Sequence, residues 1–137
     1  MFCAGGTTTA FTTWVGVIFP ANMLQVQAIT GITDKTSLTA CYDCHKGSAI
    51  DYVVVMKRSS DGGTTITNAI SGDVPTTVGG SSVATATASG IAALVWSLHP
   101  SETRDQIILR LNASASSYLN KTNNYGYSKL NAGLATN

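Results

Sequence analysis

Short apolar runs alternate with polar, turn-rich stretches along the chain, and each run predicts an element. Residues 1–6 (Met-Phe-Cys-Ala-Gly-Gly) read as the middle of a β-strand entering a loop. Residues 15–19 (Val-Gly-Val-Ile-Phe) end at Pro20, and residues 25–30 (Gln-Val-Gln-Ala-Ile-Thr) read as a second strand. A polar segment covers 33–48. Residues 50–56 (Ile-Asp-Tyr-Val-Val-Val-Met) are rich in β-branched side chains, the pattern of a strand buried on both faces. A loop at 59–63, a short strand within 64–70 and a turn at 72–75 follow.

The next stretch carries two conflicting signals. Val83 to Ser89 alternates with period two, but the length of the run, its alanines and the apolar Ile91 to Trp96 favour a helix from Ser82 to about His99. Being apolar or small nearly all round, this helix is expected at the domain centre. Pro100 ends it. A second helix starts behind Thr103, with Gln106 completing a capping box and Ile107, Ile108 and Leu111 forming its core face. A polar loop at 120–127 and a short segment at 130–135 close the chain. Alternating strands and helices predict an α/β fold, a parallel sheet with covering helices.

Composition narrows the function. The chain has 137 residues, the size of one domain, with 44% hydrophobic and 11% charged residues. A net charge of +1 and no Lys/Arg cluster give no basis for binding nucleic acid. No apolar run approaches the length that spans a bilayer. The amino terminus lacks the basic and apolar regions of a secretory signal, and a chain opening inside a strand suggests a fragment of a longer domain.

The chemistry concentrates at Gly79-Gly80-Ser81-Ser82-Val83-Ala84, where two glycines and two serines run into the apolar helix. Free N–H groups at a helix start favour negative charge beside a hydroxyl. Acyl transfer needs a serine oxygen held beside donors that stabilise an oxyanion. The plainer reading makes Ser82 a helix N-cap, and this segment alone favours that.

The surroundings change the balance. Gly80-Ser81-Ser82-Val83-Ala84, with Gly90 beyond it, resembles the subtilase serine motif Gly-Thr-Ser-Met-Ala-x-Pro-x-Val-Ala-Gly. Ala92-Ala93-Leu94, His99-Pro100, the capped helix at Thr103 and the closing Tyr125-Gly126-Tyr127-Ser128-Lys129-Leu130-Asn131-Ala132 are similar to the family's downstream segments. Upstream, Phe19-Pro20-Ala21, the strand to Gly31 and the strand from Asp51 to Met56 match in order and spacing. Ala86 and Thr87 depart from the Pro and His common in the family. The resemblance implies that residues 1–137 are the carboxy-terminal part of one subtilisin-like catalytic domain, incomplete, acting on peptide or protein substrates. It implies Ser82 as nucleophile, with its own N–H as an oxyanion donor. The family's second donor is an asparagine ending an Ala-Ala-Gly-Asn strand. One register of Cys3-Ala4-Gly5-Gly6-Thr7 puts Thr7 at that position, and the other leaves Gly6 there without a side-chain donor. Ala4, Gly5, Gly6 and Gly80 would border the substrate. No cofactor is required, and calcium sites of a full domain are not assignable to these residues. Secreted or extracellular proteases dominate the family, so the resemblance points outside the cell.

Two features sit apart. The triad's Asp and His motifs do not occur. His99 would lie about 25 Å from Ser82 along the helix at 1.5 Å per residue, and His45 has no orienting sequence around it. The isolated chain is therefore expected to be inactive, its base and acid coming from the missing amino-terminal half. Such a half domain would expose a sheet edge and an apolar face. The second feature is Cys41-Tyr42-Asp43-Cys44-His45, which matches a c-type haem attachment site, with Met56 available as sixth ligand, and supplies three zinc ligands. The favoured reading is a local disulfide, or two free thiols, in a surface insertion. Beside the protease reading stand a non-catalytic, peptide-binding relative and a small haem or metal protein. Asn112-Ala113-Ser114 and Asn120-Lys121-Thr122 are glycosylation sequons.

Overall fold

The computed structural model describes residues 1–7, 16–34, 36–57, 64–66, 76–117 and 119–137. Strands β1 (Phe2–Ala4), β2 (Gln27–Ile32) and β3 (Ile50–Val55) form a parallel sheet in the order β1-β2-β3. β2 starts two residues later than the sequence pattern places it, at Gln27 rather than Gln25. The reason is local: the Val26 N–H donates to the Met23 carbonyl at 3.0 Å, so the chain is still turning. Gln27 is the first residue to meet β1, its N–H donating to the Met1 carbonyl at 2.9 Å. The Phe19-Pro20 peptide of the preceding loop is cis.

β3 is less enclosed than its sequence implies. Ile50, Tyr52 and Val53 are buried, but Val54 is half-buried and Val55 exposed, because β3 is an outer strand of the described sheet and its far end is covered on one side only. Asp51 ties the strands together: one carboxylate oxygen accepts the Ala28 N–H at 2.8 Å and the other meets Lys121 Nζ at 2.9 Å. Strands β4 (Thr64–Ile66) and β5 (Thr76–Val78) make a separate antiparallel pair. The strand expected within 64–70 is found for its first three residues. Residues 67–70, the loop at 59–63 and the turn at 72–75 lie outside the described residues.

Helix α1 (Ser81–Leu98) crosses the sheet, touching all three strands. Its buried positions are Ser81, Ala84, Ala88, Ala92 and Val95, one stripe at helical spacing. Small side chains there let the helix axis come close to β1 and β2. Central burial on every side is not observed. Leu94 is 49% exposed and Leu98 is 55% exposed, since no described element covers the face opposite the sheet. Contrary to the expectation that no apolar run is long enough to span a bilayer, α1 is long and apolar enough by length and composition alone, yet its alanine stripe packs against the sheet.

Helix α2 (Arg104–Ser114) begins with the predicted capping box: Thr103 accepts the Gln106 N–H and the Gln106 side chain accepts the Thr103 N–H. Its Ile107 and Leu111 join Ile29, Tyr52, Met56, Ala88 and Val95 in the main core, while Ile108 packs partly buried against it. Helix α3 (Ala132–Ala135) closes on α1 and α2. A second cluster, containing Ala21, Ala28, Ile32, Ile50 and Val53, adds to the core. Large apolar side chains remain in solvent, among them Phe19, Leu24 and Leu119.

Candidate functional site

The end of β1 and the start of α1 meet at one point. Gly80 precedes the helix with φ 95° and ψ 177°, a region essentially restricted to glycine. A Cβ there would lie 3.2 Å from Thr7 Oγ1 and 3.3 Å from Thr7 Cγ2. The sharp entry turns Ser81 inward and Ser82 outward: Ser81 is buried and Ser82 exposed.

Ser81 is bound to the end of β1 by three hydrogen bonds. Its N–H donates to Thr7 Oγ1 at 2.7 Å, its hydroxyl lies 2.6 Å from the Thr7 hydroxyl, and it accepts the Gly6 N–H at 3.2 Å. The Thr7 side chain thus takes one of the helix's orphan N–H groups, a capping role supplied from 74 residues away. The sequence marks Thr7 as a candidate oxyanion group and Ser81 only as a conservative change within the serine motif. Its one signal was that a hydroxyl residue stands where the subtilase motif has Thr.

His45 is not in an unoriented loop. It is 5% exposed, its N–H donates to the Gly6 carbonyl at 2.8 Å, and its carbonyl accepts the Thr30 hydroxyl at 2.6 Å. Its ring lies against Gly6, where a Cβ would fall 2.6 Å from Nδ1 at a φ of +120°. Among the described residues neither of its buried ring nitrogens has a hydrogen-bond partner. His99, at the far end of α1, faces Glu102 at 3.8 Å. Neither histidine is hydrogen-bonded to the serine.

Cys41 and Cys44 are joined by a disulfide, which occupies both thiols that the haem and zinc readings require. The pair is not in a surface insertion: Cys41 is 2% and Cys44 8% exposed, and Cys44 pairs with Thr7 as an antiparallel bridge. Room for the sulfurs comes from Gly31, where a Cβ would stand 2.8 Å from Cys41 Sγ. Cys3 is free. A surface cavity of about 480 Å³, lined by Val17, Asn22, Lys46 and Asn124 among others, includes none of the candidate residues.

Comparison with known proteins accords with this architecture. The subtilase family model matches residues 3–129, and the chain belongs to that family. It is 32% identical over 121 residues to a thermostable alkaline protease of Halalkalibacterium halodurans, an alignment covering 88% of this chain and 31% of that protein. A lanthipeptide protease of solved structure superposes with a TM-score of 0.77 at 18% identity, over 99% of this chain and 49% of that one. Fervidolysin from Fervidobacterium pennivorans, described as a keratinolytic enzyme related to subtilisin, superposes with a TM-score of 0.73 at 16% identity, over 99% of this chain and 22% of that one. These likenesses establish the subtilisin-like α/β fold. The chain spans about a third of the curated relative and at most about half of these two solved structures.

Proposed function

We propose that this chain is the carboxy-terminal part of a single subtilase catalytic domain and supplies its nucleophile, Ser82, for peptide-bond hydrolysis. The observation that carries the reading is the pairing of an exposed Ser82 in the first turn of α1 with a buried Ser81 pinned to the end of β1. That arrangement presents a hydroxyl to solvent where helix N–H groups and the helix dipole stabilise a developing negative charge. Ser82 Oγ attacks the carbonyl carbon of the scissile bond, and the oxyanion forms toward the Ser82 N–H. The proton passes to a histidine, oriented by an aspartate, in a part of the domain outside these residues. β1 is an outer strand of the described sheet, so its edge can pair with an extended peptide, with Ala4, Gly5, Gly6 and Gly80 along that wall.

Thr7 has a narrower role than an asparagine at the same place. It already accepts the Ser81 N–H, and it can donate to the oxyanion only while the Ser81 hydroxyl donates to it rather than the reverse. This occupied hydroxyl is what favours the second reading, a subtilase-fold relative that binds peptides without cleaving them. A protein carrying this chain with the preceding half of the domain decides between them. Casein hydrolysis that falls by orders of magnitude in Ser82→Ala supports the protease. A folded protein that binds casein peptides but leaves them intact supports the relative. The buried disulfide accords with an oxidising compartment outside the cytosol.

A further inference from the structure

The C-x-x-C disulfide lies directly behind the serine turn. On one side its sulfurs rest on Gly31 of β2, where a Cβ would meet Cys41 Sγ at 2.8 Å and Cys44 Sγ at 3.4 Å. On the other side Cys44 Sγ touches Thr7 Oγ1 at 3.8 Å. The backbone repeats the sandwich, with the Cys41 N–H donating to the Gly31 carbonyl at 3.0 Å and Thr7 bridged to Cys44. Thr7 in turn holds Ser81, the residue before Ser82.

We infer that the Cys41–Cys44 disulfide is a redox-sensitive prop for the serine turn, acting through Thr7 as a positioning residue. The functional consequence rests on the reading of Ser82 as nucleophile; the structural coupling does not. The reductant is a dithiol, either a small molecule or the active site of a dithiol protein. One of its thiolates attacks a protein sulfur and forms a mixed disulfide, releasing the other cysteine as a thiolate that takes up a proton. The reductant's second thiolate then displaces the remaining cysteine. Two electrons have moved, leaving two protein thiols and an oxidised, disulfide-bonded reductant. Both sulfurs are buried, so exchange proceeds through opening of the exposed Tyr42 turn between them.

Reduction changes the volume between Gly31 and Thr7. Two sulfurs bonded at about 2 Å separate to non-bonded contact, roughly 3.5–4 Å for heavy atoms. β2 cannot yield easily, being paired on both edges. The displacement therefore goes to Thr7, whose hold on Ser81 consists of hydrogen bonds.

Amide hydrogen exchange on the full 137-residue chain, oxidised and after dithiothreitol, tests this, with iodoacetamide mass counting confirming two new thiols besides Cys3. Protection of the Ser81 and Gly6 amides should fall roughly tenfold or more, the scale of a lost hydrogen bond, while Val95 and Met56 amides keep theirs. In Thr7→Val, Ser81 protection should start low and ignore reduction; if that variant does not fold, Thr7→Ser must behave as wild type. Unchanged Ser81 and Gly6 protection in fully reduced chain overturns the proposal. So does an equal fall at every amide, or no protection at Ser81 in the oxidised chain. Fluorophosphonate labelling fails independently of these outcomes if Ser82 is not a nucleophile.

Discussion

Gly80 and Gly90 stand at the start and middle of the same helix, and the same substitution should have opposite effects on them. At Gly80 an alanine must adopt φ 95° and ψ 177°, at a conformational cost of about 1–3 kcal/mol. Its methyl group also meets Thr7 atoms at 3.2 and 3.3 Å. Moving Thr7 aside to relieve that contact would strain its two bonds to Ser81 and its contact with the Cys44 sulfur. Overpacking of this kind adds about 1 kcal/mol or more, so Gly80→Ala should destabilise the chain by about 2–4 kcal/mol. At Gly90, within α1, an added methyl group would meet nothing within 4 Å. Alanine there removes glycine's excess unfolded-state entropy and should stabilise by about 0.5–1 kcal/mol. Urea unfolding followed by circular dichroism, with unchanged m-values, measures both. A Gly80→Ala variant as stable as wild type would refute the geometry assigned to the serine turn, and a destabilised Gly90→Ala would refute the open face of α1.

Other expectations follow from particular contacts. Leu111, fully buried in the main core, should cost about 2–5 kcal/mol when changed to alanine, read from the same urea curves. Thr103→Ala breaks the capping box and should cost about 1 kcal/mol, with the α2 amide exchange rising first at Gln106 and Ile107. The Asp34 carboxylate is held well below the usual range by hydrogen bonds from the Ser37 and Thr36 hydroxyls and N–H groups. A depressed folded pKa gives stabilisation that is full above the unfolded value of about 3.9 and lost as pH falls through the folded one. Carboxyl carbon NMR should therefore find Asp34 still ionised at pH 3, and titration near pH 4 would contradict the turn.

Local signals carried well from sequence to structure. The capping box needs only Thr103 and Gln106 three residues apart, so it was legible without any tertiary contact. The β-branched run at 50–56 forms a strand over Ile50–Val55, and the alanine-rich run from Ser82 forms a helix over Ser81–Leu98. What failed depended on partners far along the chain. The composition of α1 implies burial all round, but burial needs a covering layer, and the described sheet, α2 and α3 leave Leu94, Trp96 and Leu98 in solvent. The polarity of 33–48 suggested an exposed insertion, yet the two cysteines turn inward because Gly31 leaves space on β2. The Thr7–Ser81 pair joins residues 74 apart, and no periodicity or spacing announces it. No motif surrounds His45 in the sequence, although its ring packs against Gly6 beside that pair.

The most direct test of the central claim is labelling with a fluorophosphonate probe, applied to this chain and to a protein containing the whole domain, each beside its Ser82→Ala variant. Ser82-dependent labelling is expected of the whole domain, and none of the chain alone. Labelling that persists in Ser82→Ala, or its absence from a folded whole domain, would contradict Ser82 as the nucleophile; labelling of the chain alone would contradict a base supplied from outside it.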